Sequence, residues 1–221
     1  MSGESAFNER AAEYDAWFEE NAAAYESELR AVRSLMPVSR RPVEVGVGTG
    51  RFAVPLGIGK GVEPSAAMAE LARRRGVEVV PGVAEDLPFE DGSFDLVLIA
   101  TTVCFIDDLR KALAEAYRVL EDGGFLIVAM LDRETELGRA YDSEKERSPY
   151  YSHARFRSSA EIIAALSEAG FGEPVSVQTV SSPPARMRQP EDPAPGTGTG
   201  LFAVLRARKK RVRPAGERCV S

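Results

Sequence analysis

The fold of this chain is decided by the stretch Val43-Glu44-Val45-Gly46-Val47-Gly48-Thr49-Gly50-Arg51. A short apolar, β-branched run ends in three glycines at every second position, the pattern of a buried parallel strand that turns tightly into a helix. Glycine adopts positive φ and lets the backbone approach a ligand closely, at an entropic cost that a purely structural turn rarely needs three times. The free N–H groups at the start of the following helix would face that ligand. The stretch therefore predicts a ligand-binding turn.

A dinucleotide-binding turn, G-x-G-x-x-G, is the first interpretation to test. The third glycine comes one residue too early, at Gly50, and the position that this template requires holds Arg51. The acidic Glu44, two residues before Gly46, also has no role in the dinucleotide pattern. A structural turn, or a nucleotide site of another kind, stays open as the alternative.

The spacing E-x-G-x-G-x-G resembles the first motif of the class I S-adenosylmethionine-dependent methyltransferases. The resemblance implies S-adenosylmethionine as the cofactor. It also implies that Gly46, Gly48 and Gly50 lie along the methionine and ribose portion of the cofactor, with Glu44 near its amino group, directly or through water.

The second strand, Gly59 to Glu63, ends on an acid 17 residues after Gly46. This is close to the roughly 20 residues expected for an acid that binds ribose, and a carboxylate there can accept hydrogen bonds from both ribose hydroxyls. The resemblance gives Glu63 the same role and places Pro64 beside the cofactor. Met68, in the helix that follows, is assigned to the core, with contact to adenine as the alternative.

Two further segments follow at matching intervals. Glu85, Asp86 and Leu87 precede Pro-Phe and resemble the adenine-binding loop of the family, although a polar surface loop is the alternative and either acid could face inward. Thr101 and Thr102 follow the fourth strand, and ligands of open α/β sheets bind outside the carboxyl ends of strands. We therefore expect both threonines beside the sulfonium methyl group.

Two motifs of nucleic-acid or glutamine methyltransferases are absent from the sequence. There is no Asn/Asp-Pro-Pro-Tyr/Phe segment and no Pro-Cys nucleophile, because Cys104 follows Val103. We assign Cys104 as a buried small hydrophobe rather than a nucleophile.

Residues 6 to about 36 carry apolar side chains at three- and four-residue steps and are predicted to be helical up to Pro37. An amphipathic helix packed on the core is one interpretation. The segment Tyr-Asp-x-Trp-Phe resembles N-terminal segments that cover the cofactor in this class, which implies a lid role for Tyr14 and Trp17.

Residues 132 to 157 are polar, irregular and rich in tyrosine, and in this class such an insertion after the fifth strand often covers the acceptor pocket. His153, the single histidine, could act as a general base, with a hydrogen-bonding surface histidine as the alternative. Residues 181 to 200 are rich in Pro and Gly and predict a long loop, mobile or disordered, before a last strand at 201–205.

The totals limit the function classes. A net charge of −6 gives no general attraction to nucleic acid or anionic membrane. No apolar run approaches a membrane span of roughly 20 residues, and the first residues lack the features of a signal peptide. Cys104 and Cys219 are interpreted as free thiols in a reducing cytoplasm, and one histidine with two separated cysteines argues against a metal site.

Together these features predict an α/β fold with a Rossmann-like, seven-stranded, mostly parallel sheet, an antiparallel edge hairpin and helices on both faces. Residues 1–40 form the N-terminal helical lid segment, residues 41–206 the methyltransferase domain, and residues 207–221 a basic flexible tail. The expected reaction moves a methyl group from S-adenosylmethionine to a small-molecule acceptor. Two alternatives stay open: a non-catalytic cofactor-binding protein, and a methyltransferase that acts on RNA or protein through the basic tail. The acceptor and the oligomeric state cannot be predicted.

Overall fold

The computed structural model describes residues 3–210 as one eight-stranded sheet with helices on both faces. The strands follow the order β3-β2-β1-β4-β5-β8-β6-β7. Their bounds are β1 Pro42–Val45, β2 Lys60–Val62, β3 Glu78–Val80, β4 Phe94–Ala100, β5 Leu120–Leu131, β6 Val175–Thr179, β7 Ala194–Pro195 and β8 Phe202–Arg208. The seven predicted strands are present. The eighth strand, β7, adds two residues at the edge.

The first five strands run parallel, and the last three pair antiparallel. Parallel neighbours need a crossover connection on a face of the sheet, whereas β6 and β8 lie side by side with no α-helix between them, only a short 3-10 helix at Pro184–Arg186 and β7. The expected mostly parallel sheet with an antiparallel edge is therefore confirmed.

The helices are α1 Gly3–Glu9, α2 Ala11–Glu20, α3 Ala22–Leu35, α4 Ala66–Arg74, α5 Leu109–Val119, α6 Glu136–Glu144 and α7 Ser159–Glu168. The core lies on both faces of the sheet, because successive residues of the buried strand β4 point to opposite sides. Val97 and Ile99 pack in the layer that contains α5 and α7 residues, while Leu96 and Leu98 pack in the layer with α3 and α4 residues.

The N-terminal helical segment is divided into three helices instead of running unbroken. Arg10 separates α1 from α2, and Asn21 separates α2 from α3. The Asn21 side-chain amide donates to the carbonyl of Trp17 at 3.0 Å, which supports the break after α2. The breaks let α3 pack against β6 and β8, while α1 contacts α4.

Two other local predictions differ from the structure. Where a helix is expected directly after the glycine turn, residues 51–56 form consecutive turns, and Gly57 ends them at a φ of +73°. The polar segment 132–157 contains α6, whose N-cap Thr135 accepts from the Gly138 amide at 2.9 Å.

The segment 181–200, predicted to be mobile or disordered, is attached to its neighbours. Glu191 accepts hydrogen bonds from the amide and hydroxyl of Ser181, and its own amide donates to Ser27 of α3 at 2.8 Å. Of the predicted basic tail, residues 207 and 208 belong to β8, and residues 211–221 lie outside the described part of the chain.

Candidate active site

A cavity of about 350 Å³ opens at the carboxyl ends of β1, β2 and β4. The space is within the range of pockets that bind small ligands. It lies at the glycine turn that follows β1, where the strand order changes direction from β1 to β4. This is the position at which open α/β sheets bind ligands.

The glycine turn forms one wall of this cavity. Gly46 and Gly48 line it at φ values of +71° and +53°. A Cβ on Gly46 would lie 2.3 Å from Thr102, whereas a Cβ on Gly48 would meet no heavy atom within 4 Å and would project into open space. Gly50 is outside the lining and faces Ala72 of α4. Gly46 therefore allows the turn to pack on β4, and Gly48 leaves space for a ligand.

Glu44 supplies a buried acceptor at the cavity. Its residue is 1% exposed, and its Oε2 has no hydrogen-bond partner within residues 3–210. Desolvation raises the pKa of Glu44 well above its usual value, and the nearby charge of Glu63 raises it further. An unpaired buried carboxylate oxygen is costly, and an ammonium group of a ligand would offset that cost. This acceptor fits the amino group of S-adenosylmethionine, which would donate to it.

Glu63 is held at the end of β2 by two backbone donors. Its Oε2 accepts from the Gly48 amide and its Oε1 from the Ser65 amide, both at 2.9 Å. The carboxylate lines the cavity and is fixed in orientation. This geometry fits a group that accepts hydrogen bonds from ribose hydroxyls.

The first turn of α4 continues the wall beyond Glu63. Pro64 and Met68 line the cavity, and Met68 is 3% exposed. Ser65 caps α4 by accepting from the Met68 amide at 3.3 Å. Asn8 of α1 reaches the same point: its Oδ1 accepts from the Ser65 hydroxyl at 2.8 Å and from the Ala67 amide at 3.2 Å.

In the loop after β3, one of the two acids faces the cavity. Glu85 lines it and accepts from the amides of Asp107 and Asp108 at 3.0 and 3.2 Å. Asp86 is exposed, and Leu87 is buried at 4% in the core. Neither Asp86 nor Leu87 lines the cavity.

The end of β4 carries backbone strain at the cavity. Thr101 has a φ of +53°, a conformation that costs a non-glycine residue about 1–3 kcal/mol and that clusters at functional sites. Thr102 donates from its hydroxyl to the carbonyls of Gly46 at 3.1 Å and Ala100 at 2.9 Å. Both threonines line the cavity, so β4 and the glycine turn are fixed to each other there.

Aromatic side chains of the N-terminal helices cover the cavity. Phe7 and Tyr14 line it, and the Phe7 ring contacts Phe105 edge-on at 5.0 Å. Tyr150, from the segment after α6, stacks on Phe7 at 5.7 Å and contacts Tyr14 at 5.4 Å. Trp17 does not line the cavity and instead packs edge-on against Phe18 at 5.3 Å.

His153 lines the cavity and is exposed to solvent. Cys104 is buried; burial raises its pKa to about 12, so the thiol is a poor nucleophile. No group of three or more metal-binding side chains occurs within residues 3–210, and no helix in that range is long and apolar enough to cross a membrane.

Several residues of this region were not predicted from the sequence. Phe7, Phe105 and Asp107 line the cavity, Asp15 binds Arg51, and Asn8 accepts a hydrogen bond from the Ala67 amide at the start of α4. The positions of Phe105 and Asp107 after the fourth strand could have identified them, whereas Asn8 and Asp15 depend on how α1 and α2 pack. Together the site offers an ammonium acceptor, a ribose acceptor and a covered space beside a strained strand end.

The fold and this site define a nucleoside-binding α/β protein whose carboxylates fit S-adenosylmethionine. A family model described as a methyltransferase domain matches residues 43–128. A malonyl-[acyl-carrier protein] O-methyltransferase from Geobacter sulfurreducens is 35% identical over 190 residues, covering 76% of this chain and 68% of that protein. The chain belongs to the class I S-adenosylmethionine-dependent methyltransferases, and S-adenosylmethionine is its cofactor.

Two other relatives extend the similarity over almost the whole chain. An uncharacterised protein of Methanocaldococcus jannaschii is 40% identical over 203 residues, 92% of this chain and 98% of that one. The crystal structure of an S-adenosylmethionine-dependent methyltransferase from Thermotoga maritima, described as a possible histamine N-methyltransferase, superposes with a TM-score of 0.91. Its sequence is 50% identical, and the match covers 93% of this chain and 99% of that one.

Proposed function

We propose that this methyltransferase transfers the methyl group to a small-molecule acceptor. The observation that carries the proposal is the cover over the cavity. Phe7 and Tyr14 meet Tyr150 above it, and the Tyr150 hydroxyl donates to the carbonyl of Arg10 at 3.3 Å. Two chain segments therefore close the same space, and an acceptor has to fit inside it.

S-adenosylmethionine, when bound, supplies a methyl group already activated on a sulfonium sulfur. The chain then has to bind and orient the cofactor and the acceptor and to exclude water. The rate of in-line transfer is raised mainly by alignment of the reacting atoms in a dry pocket. We assign Glu44 to the amino group of the cofactor, Glu63 to its ribose and Glu85 to the adenine side. Thr101 and Thr102 would border the methyl group, and Tyr14 would cover it.

We infer that His153 is the general base for an acceptor that loses a proton. It is the single histidine of the chain, it lines the cavity and its solvent contact offers a route for the proton. A base of this kind contributes about 10²–10⁴-fold to the rate when the proton leaves in the transition state.

The relatives differ in acceptor, so none of their substrates is assigned to this chain. The Geobacter protein is named as a malonyl-[acyl-carrier protein] O-methyltransferase, so its named acceptor is carried on a protein, and the Thermotoga protein is described as a possible histamine N-methyltransferase. A cytoplasmic location, expected from the cysteines, stays a prediction.

The test is a calorimetric titration with S-adenosylmethionine, S-adenosylhomocysteine and NAD, followed by transfer of labelled methyl to metabolite, RNA and protein fractions. We expect binding of the first two ligands, none of NAD, and label in the small-molecule fraction. Label in RNA or protein, with loss of transfer on deleting residues 211–221, would contradict a small-molecule acceptor. Cofactor binding without transfer to any fraction would favour a non-catalytic binding protein.

A further inference from the structure

Part of the cavity lining has no role in the assignment of the cofactor. Phe7 of α1 and Phe105 of the loop after β4 both line the cavity, and their rings meet edge-on with centroids 5.0 Å apart. We call these two rings the aromatic corner. Asp107, two residues further along the same loop, also lines the cavity. These three residues are available to a second ligand that binds beside the cofactor.

The aromatic corner adjoins the residues that we place at the methyl group. The Phe105 amide donates to the Thr102 carbonyl at 2.9 Å, and the Phe7 ring contacts the Tyr14 ring edge-on at 5.5 Å. A methyl acceptor has to lie within reach of the sulfonium carbon, because transfer requires the reacting atoms in contact and in line. The aromatic corner satisfies this requirement on the side of Thr102 and Tyr14.

Both rings of the aromatic corner are supported from behind. Tyr150 stacks on Phe7 with centroids 5.7 Å apart, and Tyr151 stacks on Phe105 at 5.9 Å with an angle of 8° between the planes. The two tyrosines come from the segment after α6, so that segment fixes the rings before a ligand arrives. A pre-formed surface of this kind loses little side-chain freedom on binding.

The carboxylate of Asp107 is not used by the fold. Its backbone amide donates to Glu85 at 3.0 Å, but the carboxylate itself forms no hydrogen bond or ion pair with any of residues 3–210. The next residue behaves differently, because the Asp108 carboxylate accepts from the Lys111 amide at 3.0 Å and caps α5. Asp107 therefore presents an unpaired negative charge at the cavity.

Positive charge is scarce at the cavity. Arg51 is the one arginine or lysine among the described lining residues, and it is paired with Asp15 and Glu19. Arg155 and Arg157, from the segment after α6, are outside the lining, and Arg157 donates to a backbone carbonyl at 3.1 Å. Four carboxylates line the same space, those of Glu44, Glu63, Glu85 and Asp107.

This combination favours a cationic acceptor over an anionic one. An ammonium group is attracted by a carboxylate and by the faces of aromatic rings. A carboxylate or phosphate on the acceptor would meet several acids and, within the described residues, no unpaired cation in the lining. Like charges brought together in this way are costly and exclude the wrong ligand. The net charge of −6 acts in the same direction.

We propose that Phe7, Phe105 and Asp107 form the acceptor subsite, which binds a substrate with an ammonium group on an apolar body. The inference rests on the proposed function, because it names the acceptor class of the same site. Asp107 acts in binding and specificity, whereas the proton-accepting role stays with His153, another lining residue.

The test compares ligands that share one shape and differ in charge. Benzylamine, benzyl alcohol and benzoate are titrated into the full chain saturated with S-adenosylhomocysteine, followed by the corresponding cyclohexyl series. We expect the amine to bind at least about threefold more tightly than the alcohol and at least about tenfold more tightly than the carboxylate. Added salt should reduce both differences.

Three variants assign the preference to the subsite. Asp107→Asn should abolish the preference for the amine over the alcohol without changing the affinity for S-adenosylhomocysteine. Asp108→Asn is the matched control and should retain the preference. It removes the same charge one residue away and outside the lining, and asparagine keeps the cap of α5. Phe105→Leu, which removes the ring but keeps an apolar side chain, should weaken amine binding more than alcohol binding.

The wild-type titrations can overturn the subsite without any variant. Binding of the carboxylate as tight as that of the amine, or no amine binding in either series, would do so. A preference that persists in Asp107→Asn, or that falls equally in Asp107→Asn and Asp108→Asn, would also overturn it. Weaker S-adenosylhomocysteine binding by Asp107→Asn would place this acid at the cofactor instead of the acceptor.

The failure of this inference is distinguishable from the failure of the proposed function. Intact S-adenosylhomocysteine binding, with labelled methyl transferred to a neutral or anionic metabolite, would leave the proposed function standing without this subsite. Absence of cofactor binding would instead overturn the proposed function, and the charge preference is then measured on the cofactor-free chain.

Discussion

Both carboxylate oxygens of Asp15 bind the guanidinium of Arg51, Oδ1 to Nε at 2.9 Å and Oδ2 to Nη2 at 2.7 Å. Asp15 lies on α2, and Arg51 directly follows the last glycine of the turn. Arg75, the residue that caps the end of α4, donates to the same Oδ2 at 2.6 Å. One carboxylate thus connects the covering helices, the glycine turn and α4.

We expect Asp15→Asn to weaken binding of S-adenosylhomocysteine about three- to tenfold and to speed its dissociation. Although burial acts in the opposite direction, the hydrogen bonds from Arg51 and Arg75 lower the pKa of Asp15, so the carboxylate is charged at neutral pH. A partly buried two-point ion pair contributes more than an exposed one. Calorimetry and stopped-flow dissociation would measure the change. Glu19→Gln, which removes the partner that is 72% exposed, should have little effect, and equal effects of the two variants would contradict this role.

Gly48→Val should abolish cofactor binding, because the new side chain would occupy the open space of the cavity. The strain of a β-branched residue at a φ of +53° costs about 1–3 kcal/mol by itself and has to be separated from the steric effect. Gly57→Val is the matched control: its φ is +73°, its added Cβ also meets open space, and it lies outside the cavity lining. We expect similar thermal destabilisation of the two variants and loss of binding only in the first. Normal affinity in folded Gly48→Val would refute the placement of the cofactor.

Glu63→Ala should lower cofactor affinity by about 1–3 kcal/mol through lost charge-assisted hydrogen bonds. The same change removes the acceptor for the amides of Gly48 and Ser65, so a melting curve must accompany the titration. Glu78→Ala is the control and should leave the cofactor affinity unchanged. Glu78 of β3 is an exposed acid that pairs with Lys60 of β2. Unchanged affinity in a folded Glu63→Ala chain would remove this residue from the ribose site.

The ionisation of Glu28 should make the wild-type chain lose stability as pH rises. Desolvation raises its pKa from 4.5 to about 8, so the neutral form is favoured in the folded state. Its contribution is fully present below pH 4.5, is lost progressively between 4.5 and about 8, and is constant above that. Denaturation curves of wild type and Glu28→Gln across this window should therefore diverge by a few kcal/mol, with the variant relatively more stable at high pH. A constant difference would show that the carboxylate is not desolvated.

His153→Asn should lower kcat about 10²–10⁴-fold with an acceptor that loses a proton, and it should leave cofactor affinity unchanged. Arg155→Gln, a substitution of an exposed residue in the same segment, serves as the control. A drop in kcat below about tenfold would make His153 a surface residue at the cavity mouth.

The strands and several cavity residues can be predicted because they depend on short stretches of sequence. Buried apolar runs predict the strands. Glu44, Gly46 and Glu63 are predicted to line the site because they lie at the carboxyl ends of β1 and β2. The strand β7 is missed because it has two exposed residues and includes Pro195, which cannot donate to a ladder. The helix α6 is missed because its segment is charged and its start depends on the Thr135 cap.

Other features depend on contacts between distant parts of the chain. The apolar repeat continues across Asn21, so it predicts one helix where α2 and α3 are separate. Trp17 follows the same repeat as Tyr14, yet the packing directs Tyr14 to the cavity and Trp17 to Phe18. Glu28 occupies a charged position between the apolar residues of an amphipathic helix, yet it is 3% exposed in the folded chain.

The contact of Asn8 with the start of α4 has a consequence for turnover. A side chain from α1 accepts the hydrogen bonds of the Ser65 hydroxyl and the Ala67 amide, beside the wall formed by Pro64 and Met68. If α1 moved away to admit or release a nucleoside, the first turn of α4 would lose an acceptor at the same moment. Exchange of the cofactor by this route would therefore be coupled to fraying of a helix end.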